Sequence, residues 1–200
     1  MGYSVESISA DCYENTTCLI NKLNIQNEKL LSEIEADITF AKATAWETAP
    51  LSQQFDFEHY KMIHKYLFED LYDWAGQIRT INISKKGTDF VDAGEIETLA
   101  YQCFNRLKSQ NYFRNQKFEE FVGNIVDFYC VTNMLHPFRE GNGRTQRTFL
   151  AQLIRYNGYE INFSDIDTDA LMIATIHAAH GVNDYLIDIF KEAIKSNSNK

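Results

Sequence analysis

With 200 residues, 44% of them hydrophobic and including 14 Phe and 11 Tyr, the chain has material for one well-buried core, able to hide roughly 70% of the surface its unfolded form exposes. A formal net charge of −9 and a pI near 5.0 argue against a general nucleic-acid binder, whose affinity comes mostly from neutralising phosphates. No stretch approaches the ~18 consecutive apolar residues of a membrane span, and the N-terminus lacks the basic start and apolar run of a secretory leader, so an intracellular protein without membrane contact is expected.

In chain order, Leu30, Ile34, Ile38, Ala41 and Ala45 recur at helical spacing and predict a long helix over 23–48, stopped by Pro50. A second helix is expected over 57–73 from Phe57, Met62, Ile63, Tyr66, Leu67 and Leu71. The period then changes. Gln77 to Ile83 alternate polar and apolar as a half-buried strand does, and run through the turn-rich residues 84–89 into Phe90 and Val91, so a short hairpin is predicted. Helical spacing returns over 94–110 and again over 117–135, where Phe118, Phe121, Val122, Ile125, Phe128, Tyr129, Thr132 and Leu135 form a wide apolar stripe suited to a central helix. Further helices are expected over 143–156, 167–179 and 182–195. The fold class is mainly α, one domain with a small β-hairpin. Cys12, Cys18, Cys103 and Cys130 show no metal spacing and read as reduced thiols.

Between the two most apolar helices lies His136-Pro137-Phe138-Arg139-Glu140-Gly141-Asn142-Gly143-Arg144-Thr145-Gln146-Arg147. Pro137 disfavours helix in the residue before it and so ends the preceding helix. The glycines let backbone approach a ligand and turn successive N–H groups into one anion-binding concavity, to which the unpaired amides of the next helix add. Arg144 and Arg147, three residues apart, share one side of that first turn. Cations there oppose the helix dipole and cost stability unless an anion is present. Glu140 supplies a hard oxygen suited to Mg²⁺ together with phosphates, and His136 is a candidate general base. Phe138 is expected to face the core and splay His136 and Glu140 outward. These parts describe displacement on a nucleotide phosphate.

The segment matches every specified position of the signature H-x-F-x-[D/E]-G-N-G-R-x-x-R, and the chain thereby resembles the Fic family. The likeness extends to Ile63–Phe68 with Asp73–Arg79, to Ser84–Phe90 as the family's flap, and to Tyr13–Asn24. The resemblance implies a single Fic domain over 1–200 with its core about 55–160, and a protein adenylyltransferase that moves AMP from ATP to a Tyr, Thr or Ser hydroxyl of a target protein. It implies His136 as the base and Glu140 as the Mg²⁺ ligand. Gly141, Asn142, Gly143 and Arg144 would serve the α- and β-phosphates, and Arg147 the γ-phosphate. Ser84, Lys85, Lys86, Gly87, Thr88, Asp89 and Phe90 would dock the target by strand addition. Trp74, His59 and His64 are expected to be structural; His177 and His180 lie near the chain end that approaches the nucleoside in this family. UMP or phosphocholine transfer on the same scaffold and a non-catalytic ATP-binding regulator are the alternatives.

Many relatives carry an inhibitory helix with [S/T]-x-x-x-E-[G/N], whose Glu pairs with the second arginine, here Arg147. Only Glu14-Asn15 and Glu140-Gly141 end correctly, and Ala10 and His136 occupy the required Ser/Thr positions. Ser9 is one residue too far, which turns its side chain by ~100° on a helix. The resemblance then implies a toxin controlled by a separate small antitoxin that carries the glutamate. It leaves open whether the protein stays in the cytoplasm or is translocated as an effector.

Overall fold

In a computed structural model that describes residues 4–5, 11–48, 54–85 and 87–196, the chain order is β1 (Ser4–Val5), α1 (Glu28–Glu47), α2 (Phe57–Phe68), β2 (Ile83–Lys85), β3 (Thr88–Asp89), α3 (Ile96–Ser109), α4 (Phe118–Leu135), α5 (Asn142–Tyr156), β4 (Tyr159–Glu160), α6 (Thr168–Ala179), α7 (Asp184–Ala193) and β5 (Lys195–Ser196). The expected helices are all present and the expected hairpin forms, β2 pairing with β3 through Ser84–Asp89 and Lys85–Thr88. β1 pairs antiparallel with the other side of β2, and β4 pairs with β5. Pro50 and Lys86 lie outside the described residues.

Helix starts follow their caps. The Asn27 side chain accepts the Leu30 N–H at 3.0 Å, which begins α1 five residues after the predicted start. Residues 11–26 instead form a loop closed by the Cys12–Leu19 bridge and by Asn21, buried and bonded to the carbonyls of Leu19 and Ile25. Asp56 caps α2 by accepting the His59 N–H at 2.8 Å. That helix stops at Phe68 rather than continuing to 73. The carbonyl of Phe68 accepts from both Leu71 and Tyr72, and the tight turn buries Leu71 and Tyr72 where a straight helix would carry them past the core.

Two readings are corrected here. The alternation over 77–83 is not a strand; only Ile83 joins the sheet. Arg79 explains it, because its backbone N–H donates to the carbonyl of Pro137 at 2.9 Å and its side chain is buried, so the segment is bonded to the loop after α4 rather than to a strand. On α1 the buried face is Leu31, Glu35 and Thr39, while Leu30 is 46% exposed and Ala41 and Ala45 are exposed. Two of those three buried residues are polar, for a reason that lies at the N-terminus of α5.

α4 is central and packs against α3, α5, α6 and α7. Phe149 of α5 sits among Phe55, Tyr60, Phe104 and Phe128, with ring centroids 5.4–5.7 Å away, an aromatic cluster that fixes the direction of α5. α1 lies across α2 and α5. The loop between α4 and α5 therefore ends against three helices.

Candidate active site

α4 ends at His136, whose backbone is left-handed with φ 40° and ψ 58°, an uncommon state for a side-chain-bearing residue and one that needs its surroundings to hold it. The Nε and both terminal nitrogens of Arg79 do so. Arg79 Nε donates to the His136 carbonyl at 2.8 Å, Nη1 to that of Ile81 at 2.7 Å, and Nη2 to that of Val91. His136 Nδ1 lies 2.9 Å from the carbonyl of Asn133, which can only accept, so Nδ1 carries the proton and Nε2 presents its lone pair. Burial, aided by the charges of Lys85 and Arg79, pushes its pKa down to about 3, so the ring is neutral at ordinary pH. The imidazole is only 7% exposed, and the Phe90 ring covers it. This corrects the expected outward splay; Phe138, fully buried as expected, anchors the loop without pushing His136 into solvent.

Past Phe138, the Asn142 side chain turns inward, accepting from the Phe138 N–H at 2.8 Å and donating to its carbonyl at 2.7 Å. What Asn142 offers a ligand is thus its backbone N–H. Gly141, at φ 78°, begins the next turn. A Cβ there would stand 2.1 Å from the Phe68 ring, so both backbone and space require glycine. The first helical bond runs from the Thr145 N–H to the Gly141 carbonyl at 3.0 Å, leaving the amides of Asn142, Gly143 and Arg144 without an intrahelical acceptor. His64 holds this loop from beneath. It is fully buried, accepts the Gly76 N–H on Nδ1 at 2.8 Å, and so donates from Nε2 to the Glu140 carbonyl at 3.0 Å.

The two arginines differ. Arg144 pairs with Glu35 of α1, donates to Thr39 Oγ1 at 3.2 Å, lies 3.4 Å from Glu140 Oε1, and covers the Phe68 ring at 4.8 Å. Glu35 is 6% exposed and also accepts from the Tyr72 hydroxyl. The anion expected beside these arginines is therefore partly built in, and it explains the polar face of α1. Arg147, half-buried, makes no ion pair or hydrogen bond among the described residues, and burial lowers its pKa without neutralising so strong a base. A cavity of about 1100 Å³ brings together Arg144, Arg147, Glu140, Glu35, Arg139 and Lys85 of the hairpin.

Glu35, Thr39, Tyr72, Arg79 and Arg139 escaped the sequence reading. Arg139 is buried and pairs with Asp11 at 3.4 Å. The one signal in the sequence was a charged or polar residue inside an otherwise helical apolar spacing, as at Leu31, Glu35 and Thr39. His59, bonded to Gln152 at 2.8 Å, and Trp74, stacked on Tyr72 at 4.3 Å, are structural as expected. His177 and His180 are exposed and do not line the cavity. All four cysteines are thiols, none in a disulfide.

Among the described residues no group of three or more His, Cys, Asp or Glu could hold a metal ion. An all-protein cage is therefore not what Glu140 offers. Its Oε1 takes the Gly141 N–H at 2.8 Å, and a single half-exposed carboxylate beside two arginines and free amides suits a hard cation that shares substrate phosphates. The arrangement can bind a polyphosphate, hold a cation at its edge and take a proton at His136 Nε2. No helix among the described residues is long and apolar enough to cross a membrane.

Residues 54–154 match the Fic/DOC family. The chain is 36% identical over 171 residues to the probable protein adenylyltransferase y4lH of Sinorhizobium fredii, covering 85% of this chain and 88% of that protein. It is 33% identical over 171 residues to the protein adenylyltransferase VbhT of Bartonella schoenbuchensis, covering 86% of this chain but spanning only 36% of that relative's length. Its structure superposes with a TM-score of 0.87 and 27% identity on a BepC protein, a VirB-translocated effector of Bartonella tribocorum with bound AMPPNP, covering 93% of this chain and 96% of that one.

Proposed function

Because the chain belongs to the Fic/DOC family, we propose that it is a protein adenylyltransferase, moving AMP from ATP to a Tyr, Thr or Ser hydroxyl of a target protein. The observation that carries this reading is the joint presentation of Arg147, without an acidic partner among the described residues, and Glu140 in one cavity at the α5 N-terminus. The reading takes residues 1–200 as one Fic domain with its core about 55–160.

The ATP phosphates lie in the turn Gly141–Gly143, on the amides of Asn142 and Gly143, with Arg144 behind them and Arg147 on the γ-phosphate, which sets the α-phosphorus for in-line attack. Mg²⁺ held by Glu140 would offset charge on the departing pyrophosphate. The target hydroxyl forms a bond to the α-phosphorus, its proton passes to His136 Nε2, and the bond from the α-phosphorus to the bridging oxygen breaks. The target segment adds to the hairpin at Ser84–Phe90. β1 lies along β2, so the edge of β3 is the one that receives it.

The same reading places a separate antitoxin glutamate on Arg147, in the cytoplasm of the producing cell. Glu14 is exposed and forms no ion pair with Arg147, which supports an external source. Expression without a neighbouring partner gene should then arrest growth, and harmless expression of an active enzyme would remove the toxin assignment.

The activity is tested by incubating the protein with a cell lysate, Mg²⁺ and ATP labelled at the α- or the γ-phosphate, with His136→Ala as control. Label from the α-phosphate alone supports AMP transfer. Label from the γ-phosphate indicates a kinase, label from UTP or a choline donor indicates the other donors, and ATP binding without any label indicates a regulator.

A further inference from the structure

The parts of the site come from two helices. His136 closes α4, while Asn142 and Gly143 open α5. Attack on a bound phosphate needs the two ends in fixed relation, because a misplacement of about 1 Å can cost on the order of 100-fold in rate. Within the loop, Asn142 ties the start of α5 back only as far as Phe138.

A second tie runs beneath the loop, from helix to helix. Gln146, one residue before Arg147, is buried and does not line the cavity. Its Nε2 donates at 2.7 Å to the Tyr129 carbonyl and at 2.7 Å to Thr132 Oγ1. A carbonyl only accepts, so the donating end of the amide faces α4. Thr132 Oγ1 spends its own proton on the Phe128 carbonyl at 2.8 Å, which leaves a lone pair for Gln146. The Thr132 carbonyl accepts the His136 N–H at 3.3 Å, and the next carbonyl, that of Asn133, holds His136 Nδ1 at 2.9 Å. Gln146 is thus bonded to the turn of α4 from which both the backbone and the ring of His136 hang.

Packing alone would not fix this turn. Phe128 and Phe149 already stack between α4 and α5, with centroids 5.7 Å apart, but apolar contact is non-directional and tolerates sliding along the helix. Two hydrogen bonds from one amide do not.

We propose that Gln146 is a positioning residue that fixes the end of α4 against the start of α5, and so the distance from His136 Nε2 to the bound phosphates. The proposal rests on the reading of His136 as the base and of the α5 turn as the phosphate site. Gln146 lies outside the cavity and acts through Tyr129 and Thr132.

The test compares, for the full chain, the rate of label transfer from α-labelled ATP at saturating ATP, ADP affinity by calorimetry, and the melting temperature. Gln146→Met keeps the volume and removes both donated bonds. It should lose at least about tenfold in transfer rate while ADP affinity stays at the wild-type value. Gln146→Glu keeps the shape and donates only when its carboxyl is protonated, which burial favours. Its transfer rate should therefore rise as pH falls between about 8 and 5.5, with ADP affinity constant, whereas the wild-type rate stays flat because His136 is neutral throughout.

A folded Gln146→Met protein with the wild-type rate would overturn the proposal, and so would equal losses of rate and ADP affinity, which point to general loosening. A flat profile in Gln146→Glu overturns it as well, and this second variant decides the matter if Gln146→Met does not fold. His136→Ala separates the proposal from the underlying reading. If His136→Ala transfers label as fast as wild type, the base assignment fails and the proposal with it; if it is inactive while Gln146→Met matches wild type, only the role of Gln146 fails.

Discussion

The ring of Phe90 lies on the imidazole of His136, centroids 3.7 Å apart and planes 15° from parallel. The segment after β3 thus covers the side chain proposed to take the proton of an attacking hydroxyl. Burial is the largest cause of the low His136 pKa, so the lid and the protonation state are linked. Wild-type kcat should show no acid limb near the ordinary histidine pKa of 6.5, because the base is already neutral well below it. Phe90→Ala uncovers the ring, moves its pKa up toward 6.5, and should make kcat fall between about pH 8 and 5.5. A flat profile in that variant would sever the link.

Arg79 binds three carbonyls across the base of the hairpin and the end of α4. Arg79→Ala leaves those acceptors unsatisfied, and should cost about 1–3 kcal/mol of stability. It should also lower kcat more than it raises KM for ATP, since the amides of Gly141 to Gly143 are held separately through His64 and Asn142. Arg79→Lys should not rescue kcat, because an ammonium lacks the planar fork that reaches all three. Equal losses in kcat and ATP affinity would show that the two halves of the loop are not independently held.

For Arg147, substitution by Ala should reduce kcat/KM by on the order of 100-fold, through lost orientation of the donor rather than lost fold. The expected signature is a normal melting temperature with slow turnover even at saturating ATP. Wild-type turnover in Arg147→Ala would remove the γ-phosphate assignment.

His64 is also held neutral, its pKa pushed down to about 3, by burial first and by the charge of Arg144 after it. The unfolded chain binds this proton at about 6.5 and the folded one only near 3, so the unfolded state carries more protons throughout that window. Stability should therefore be full above 6.5 and fall as pH drops toward 3. Melting curves at a series of pH values would show it, and His64→Gln should flatten the dependence. A steeper loss in that variant would mean that other groups dominate.

Gly141→Ala meets two obstacles at once, a φ of 78° and the Phe68 ring 2.1 Å from the new methyl. A left-handed alanine alone costs of order 1–3 kcal/mol. Calorimetric melting should register at least that loss, together with weaker ADP binding, because the loop shifts to clear Phe68. Unchanged melting and binding would show that the loop adjusts freely.

Periodicity located the seven helices among the described residues, because burial of one face repeats every 3.6 residues in a helix, and the turn-rich residues 84–89 marked the hairpin. Composition and spacing at His136–Arg147 pointed to a phosphate-binding turn with a candidate base beside it, since such chemistry is local in the chain. What lay beyond sequence was everything decided between segments. Alternation over 77–83 looked like a strand because Arg79 was counted as solvent-facing, when it is buried against carbonyls 12 and 57 residues away. The wrong face of α1 was taken as the core, because Glu35 and Thr39 are inward only on account of Arg144, over a hundred residues later. A local pattern records the average cost of burying a polar group. Only the tertiary structure supplies the partner that cancels that cost, and so only it decided which arginine at this site is already paired and which has no acidic partner among the described residues.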